Sequence, residues 1–171
     1  MSDATSATSS STSTANSAPI YADRNSGESF PDAPSMVNAY LLRFGQRADL
    51  RDPSGAALQP QLDEGGYAQM QRGSAIIGIN VLEEQGVLMV FSPIMPVPLS
   101  GREAFYRRLL ELSFVTTADA SFAINAQRDE VVVRCLRRLS ALDYEEFEDI
   151  LATVGEIADR WDDELIKEFG A

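Results

Sequence analysis

A chain of 171 residues and 18.7 kDa, 44% apolar and 23% charged, is long enough for one domain with its own core and has an ordinary globular balance. Its net charge of −12 argues against nucleic acid or an anionic membrane surface as the main partner, since both select clustered Lys and Arg. The absence of histidine and the presence of one cysteine, Cys135, exclude His-dependent nucleophilic catalysis, imidazole and thiolate metal clusters and an internal disulfide.

Residues 1–33 read as a disordered Ser/Thr-rich tail followed by a linker, and residues 34–171 as the folded domain. Positions 2–19 are nearly all Ser, Thr, Ala and Asn, with no apolar periodicity to offset the entropy of ordering. Positions 21–35 are rich in Pro, Gly and Asp. Ser35 is expected to cap a first helix in which Met36, Val37, Tyr40, Leu41 and Phe44 share one stripe, ending near Gly45. Short β-like pieces follow at 57–62, 67–72, 74–82 and 87–97, separated by Gly and Pro. Residues 83–86 form a hairpin loop between the last two. Positions 75–82 and 87–91 are rich in Ile and Val with little polar alternation, which predicts central or two-sided strands. Pro93, Pro96 and Pro98 place the end of this run at a sheet edge or beyond it. They also interrupt the longest apolar run, so no stretch reaches the ~18 residues needed to span a bilayer.

Ser100 and Glu103 form a capping box for a second helix. Phe105, Leu109 and Leu112 fall on one stripe of it, and Tyr106 and Leu110 on a second stripe beside the first. Two stripes suit two surfaces, one for the chain's own sheet and one for a dimer partner; both stripes in one crowded core is the alternative. Residues 121–125 and 130–136 read as a hairpin. Phe122 and Ile124 share a face of its first strand; Val131, Val133 and Cys135 share a face of its second, with Arg134 pointing the other way. The last helix starts from Asp143, with Glu146 three residues on, and carries Phe147, Ile150, Leu151, Val154, Ile157, Trp161 and Leu165 at threes and fours. Eleven acids and two bases between Asp143 and Glu168 give it a strongly negative outer face. The fold class is α+β: helix, a three-to-four-stranded antiparallel sheet, helix, β-hairpin, long C-terminal helix.

The acids offer no catalytic pattern. Adjacent pairs such as Glu83-Glu84, Glu145-Glu146 and Asp162-Asp163 do not face each other and cannot share a proton. Asp159 and Asp163 are too few ligands for a cation site on their own. Gly65, Gly66 and Gly73 match no phosphate-binding loop and read as turn residues. No catalytic, cofactor-binding or metal-ligating residue is therefore expected. The basic cluster Arg134, Arg137 and Arg138 either pairs with the acidic helix, the simpler reading, or holds a phosphate or nucleic-acid backbone.

The carboxy-terminal two-fifths resembles a known family. A helix ending in LLELSF, the strand pair ASFAIN…DEVVVRCLRRLS, and the helix LDYEEFEDILATVGEIADRWDDEL are similar to the class I type III secretion chaperones, the Tir chaperone family. The matching positions are Leu109, Leu110, Phe114, Phe122, Ile124, Val131, Val133, Leu142, Phe147, Ala158 and Trp161, and the order of elements matches over about residues 35–168. Two departures are the lack of Gly between Thr117 and Phe122 and the long Ser/Thr tail. Within the family, the acidic pI and size are similar to the HpaB-type export-control chaperones of plant-pathogen Hrp systems.

The resemblance implies a cytoplasmic bacterial homodimer built through the second helix, with Phe105, Tyr106, Leu109 and Leu110 at the interface. It implies a non-enzymatic chaperone, without cofactor, that binds type III effector proteins in extended form, keeps them export-competent and promotes or controls their secretion. Export-apparatus components such as the secretion ATPase are a further implied partner. Candidate effector contacts are Tyr40, Leu41 and Phe44 on the first helix and Val87, Met89, Phe91, Ile94 and Met95 on the strand run. A YbjN-type regulatory or stress protein of the same fold is the alternative.

Overall fold

Strand alternation decides which way this sheet faces. In the computed structural model, which describes residues 21–47, 59–115 and 117–170, five antiparallel strands form one sheet: β3 (Tyr67–Arg72), β4 (Ala75–Leu82), β5 (Val87–Pro96), β6 (Ser121–Asn125) and β7 (Glu130–Arg138). Their spatial order is β3-β4-β5-β7-β6. The expected three-to-four-stranded sheet and the β-hairpin join as one sheet, because β7 pairs with β5 from Val87↔Arg138 to Pro96↔Glu130. One face carries Ile77, Ile79, Val81, Leu88, Val90, Val131, Val133 and Cys135, all buried.

The long helix α3 (Tyr144–Phe169) covers that face. Its expected stripe from Phe147 to Leu165 is buried in full. The Asp143 carboxylate accepts from the Glu146 N–H at 2.9 Å, as the cap spacing predicts. Gly155 lets the helix approach β4 closely, since a Cβ there would lie 3.3 Å from Ile77 Cδ1. Helix α1 (Ala33–Gly45) buries Met36, Val37, Tyr40, Leu41 and Phe44 beside it, with Tyr40 and Phe44 rings 5.7 and 6.5 Å from that of Phe147. The cap of α1 is Asp32 rather than Ser35: the Asp32 side chain accepts from the Ser35 N–H at 2.7 Å, and Pro34 supplies the first turn. Helix α2 (Arg102–Val115) begins after Gly101 at φ +68°, so Gly101 and not Ser100 stands at its start.

Two expectations are corrected at the amino-terminal side. The stretch 21–35 is not a linker: β1 (Tyr21–Ala22) and β2 (Ser29–Phe30) pair as a small hairpin, Phe30 joins the core, and the Asp23 carboxylate is buried. A short polar turn is easily read as linker when its hydrogen-bond partners lie far along the chain. The β-like piece at 57–62 falls partly outside the described residues. Its remainder is not a strand; Leu62 is buried, and its N–H donates to Asn38 Oδ1 on α1 at 2.9 Å. The tail before Tyr21 also lies outside the described residues.

Candidate functional site

Helices cover only one face of the sheet. On the other, register aligns Gln69, Gly78, Phe91, Arg134 and Ser121 as directly opposed neighbours across all five strands. A parallel row runs from Tyr67 through Asn80 and Met89 to Leu136. Gly78 makes room for the ring beside it: a Cβ there would lie 2.6 Å from Phe91 Cζ. Phe91 therefore lies down across β4, 6.4 Å from the Tyr67 ring. The result is an open groove of about 970 Å³ with an apolar floor at Met89, Phe91, Pro93 and Val132 and amides at Gln69, Asn80 and Asn125. Of the two expectations for β4 and β5, central or two-sided, they are central; among the described residues no element packs over this face.

The candidate effector contacts divide. Val87, Met89 and Phe91 share the open face, and Met89 and Phe91 line the groove. Tyr40, Leu41 and Phe44 do not: they are core, packed against α3 and the amino-terminal hairpin, so no partner reaches them. Ile94 and Met95 are also buried. The register shifts between Pro93 and Met95, and this bulge breaks the two-residue alternation so that both neighbours turn inward. The β4 pairing ends at Phe91, so Pro93 and Pro96 lie where no N–H is needed on that side. Sequence reading missed Tyr67, Ile76 and Gly78, and it grouped Arg134 with Arg137 and Arg138 where the structure places it apart from them, in the groove. The signal for them was Ile76, Gly78 and Asn80 alternating with Ile77, Ile79 and Val81.

Helix α2 separates its two stripes. Phe105, Leu109 and Leu112 are buried in the chain's own core, and Tyr106 packs against it. This corrects Phe105 and Leu109 as reachable interface residues, while Leu110 is exposed. It stands 72% exposed, in company with Phe114 at 91% and Val115 at 76%. Single exposed apolar residues are common, but three on the last turns of one helix form a patch that water disfavours.

Several charged groups tie the elements together. Arg137 donates to Glu146 on α3 and to Asp119, while Arg72 and Arg108 approach Glu156 and Glu168. Cys135 is buried among them; burial pushes its thiol up and Arg137 only partly offsets that, so it is not a thiolate nucleophile. Among the described residues, no group of three His, Cys, Asp or Glu side chains is placed to hold a metal, and no helix is long and apolar enough to cross a membrane.

Residues 55–162 match the family model of the Tir chaperone protein (CesT) family. Among solved structures, a chain of the ExsC–ExsE complex is similar at 25% identity and a TM-score of 0.61, over 78% of this chain and 96% of that one. A chain of the HopA1–SchA chaperone–effector complex is similar at 10% identity and 0.58, over 75% and 94%. A chain of the ExoU–SpcU complex from the type III secretion system of Pseudomonas aeruginosa follows at 16% and 0.52, over 73% and 93%. The last two, at such low identity, bear on the fold alone. No curated protein sequence matches the chain significantly.

Proposed function

The chain belongs to the Tir chaperone protein (CesT) family, and we propose that its open sheet face is where it holds a secreted effector. It is an effector-binding chaperone of type III secretion. It acts in the cytoplasm by binding alone, without catalysis. The observation that carries the reading is the groove: apolar ground and amide groups on a face that nothing in the described chain covers.

The physics restricts how cargo is held. Backbone groups of the sheet are spent in its ladders, so the face offers only side chains. A segment seated there has to satisfy its own backbone, which an amphipathic helix does. The outer edges of β3 and β6 carry no further strand among the described residues and suit the extended stretches on either side. Ordering a segment on binding costs free energy, so a broad apolar contact is required. A dimer joined through Leu110, Phe114 and Val115 would double that contact and cover the apolar end of α2.

The test is capture of secreted proteins from host bacteria by the tagged full chain, compared with its Met89→Asp variant. Secreted proteins recovered by the wild type and lost from the folded variant support the reading. Equal recovery by both would remove the groove from it, and recovery by neither would sink the function itself.

A further inference from the structure

Arg134 is the anomaly of this face. Elsewhere in the described chain, half-buried arginines are engaged: Arg72 with Glu156, Arg108 with Glu168, Arg137 with Glu146 and Asp119. Arg43 and Arg160 lie against the rings of Tyr144 and Trp161. Arg134 lies four residues after Glu130 and three before Arg137, yet strand alternation turns it away from the acidic helix and into the groove. Its side chain makes no hydrogen bond, ion pair or ring contact with any described residue. It stands in the central cross-strand row with Phe91 on one side and Ser121 on the other.

The groove's other charges do not neutralise it. Among the described residues Glu130 is the only acid in the lining; it accepts from Asn125 Nδ2 at 3.1 Å and has Arg128 at 3.9 Å. On a chain of net charge −12, the groove is thus a small positive island holding one uncommitted guanidinium among apolar groups. A guanidinium partly withdrawn from water pairs best with a carboxylate, which its planar fork can take in two parallel hydrogen bonds.

We infer that Arg134 sets the specificity of the groove by pairing with a carboxylate on the apolar face of the docked helix. This rests on the effector-binding reading above. The occupant is an amphipathic helix with one Asp or Glu inside its apolar stripe, so that Phe91 and Met89 meet apolar side chains on either side of the ion pair. The strong negative charge of the remaining surface excludes acidic segments everywhere else, which turns one arginine into a selector.

The experiment uses the full chain and three synthetic 20-residue helical peptides of Leu, Ala and Gln that differ only at one central position of the apolar stripe: Glu, Gln or Arg. Fluorescence anisotropy at physiological salt measures their affinity for the wild type and for Arg134→Glu and Arg134→Gln, with circular dichroism and thermal melting to confirm folding. The wild type is expected to bind the Glu peptide about tenfold more tightly than the Gln peptide and to bind the Arg peptide least. Arg134→Glu reverses the order of the Glu and Arg peptides, and Arg134→Gln abolishes the preference. An unchanged ranking in Arg134→Glu overturns the inference, as does failure of all three peptides to bind the wild type. Self-association that depends on Arg134, seen by light scattering, overturns it by making a second copy the occupant. Capture of secreted proteins, which Met89→Asp probes separately, decides the effector-binding reading: a reversed ranking without capture keeps the carboxylate contact and removes the effector as its source.

Discussion

Asp23 and Tyr144 are 121 residues apart, and the Asp23 carboxylate accepts a hydrogen bond from the Tyr144 N–H at 2.9 Å. The same oxygen accepts from the Tyr40 hydroxyl at 2.7 Å, and the other oxygen takes the N–H groups of Asn25 and Ser26. One side chain therefore ties the amino-terminal hairpin to α1 and to the first residue of α3, where the helix dipole also favours a negative charge.

Removing this tie has a pH signature. Burial pushes the Asp23 carboxyl up, but the hydrogen bonds from Ser26, Tyr40 and Tyr144 outweigh it and hold the group well below the usual carboxylate range. Because the folded-state value is depressed, its stabilisation is fully present above about pH 4, the unfolded value, and is lost as pH falls below that. Asp23→Ala should cost about 3 kcal/mol near neutrality, since it strands the Tyr40 and Tyr144 donors, and the cost should shrink toward pH 2. Urea unfolding across that range measures it; a pH-independent difference would refute the assignment.

The exposed end of α2 predicts the oligomer. Leu110→Asp or Phe114→Asp should give a folded chain of 18.7 kDa by light scattering where the wild type has twice that mass. Leu109→Asp, placed in the core, should instead lower the melting temperature or prevent folding. A Leu110 and Phe114 double variant that remains dimeric would exclude this face.

Gly78 and Phe91 should be energetically coupled. Gly78→Ala places a methyl against the ring and forces Phe91 upright, at a cost of about 1–2 kcal/mol. Phe91→Ala should relieve most of that cost, so the double-mutant cycle closes with a coupling of about 1 kcal/mol. Additive effects would mean that the ring does not rest on Gly78.

Ala118 adopts φ +46°, a left-handed conformation that favours glycine. A left-handed non-glycine residue carries roughly 1–2 kcal/mol of strain, against about 0.5–1 kcal/mol of extra chain entropy for glycine. Ala118→Gly should thus stabilise by about 0.5 kcal/mol and raise the melting temperature by about 1–2 °C. A lower melting temperature would contradict it.

The elements were legible because each announces itself locally. The Ile/Val runs of β4 and β5, the alternation of β7 around Arg134, and the Phe147-to-Leu165 stripe behind the Asp143 cap are short-range patterns, and the structure places them within a residue or two of expectation. The amino-terminal hairpin was not legible. Its warrant is Asp23, whose main partners lie 17 and 121 residues away, and a composition of Pro, Gly and Asp looks the same in a linker. The cap of α1 moved from Ser35 to Asp32 because both types can cap and only geometry chooses.

What the sequence determined by itself is which residues must leave water: periodicity and patterning fix the helices, the strands and the demand that Tyr40, Leu41, Phe44, Phe105 and Leu109 meet apolar partners. What only the tertiary structure decided is whether those partners are in the chain or outside it. Apolar demand carries no address, so the same stripe reads as core or interface until packing assigns it. Packing put those five residues inside, turned Ile94 and Met95 inward through a bulge, and left Leu110, Phe114, Phe91 and Arg134 on the outward faces of α2 and the sheet.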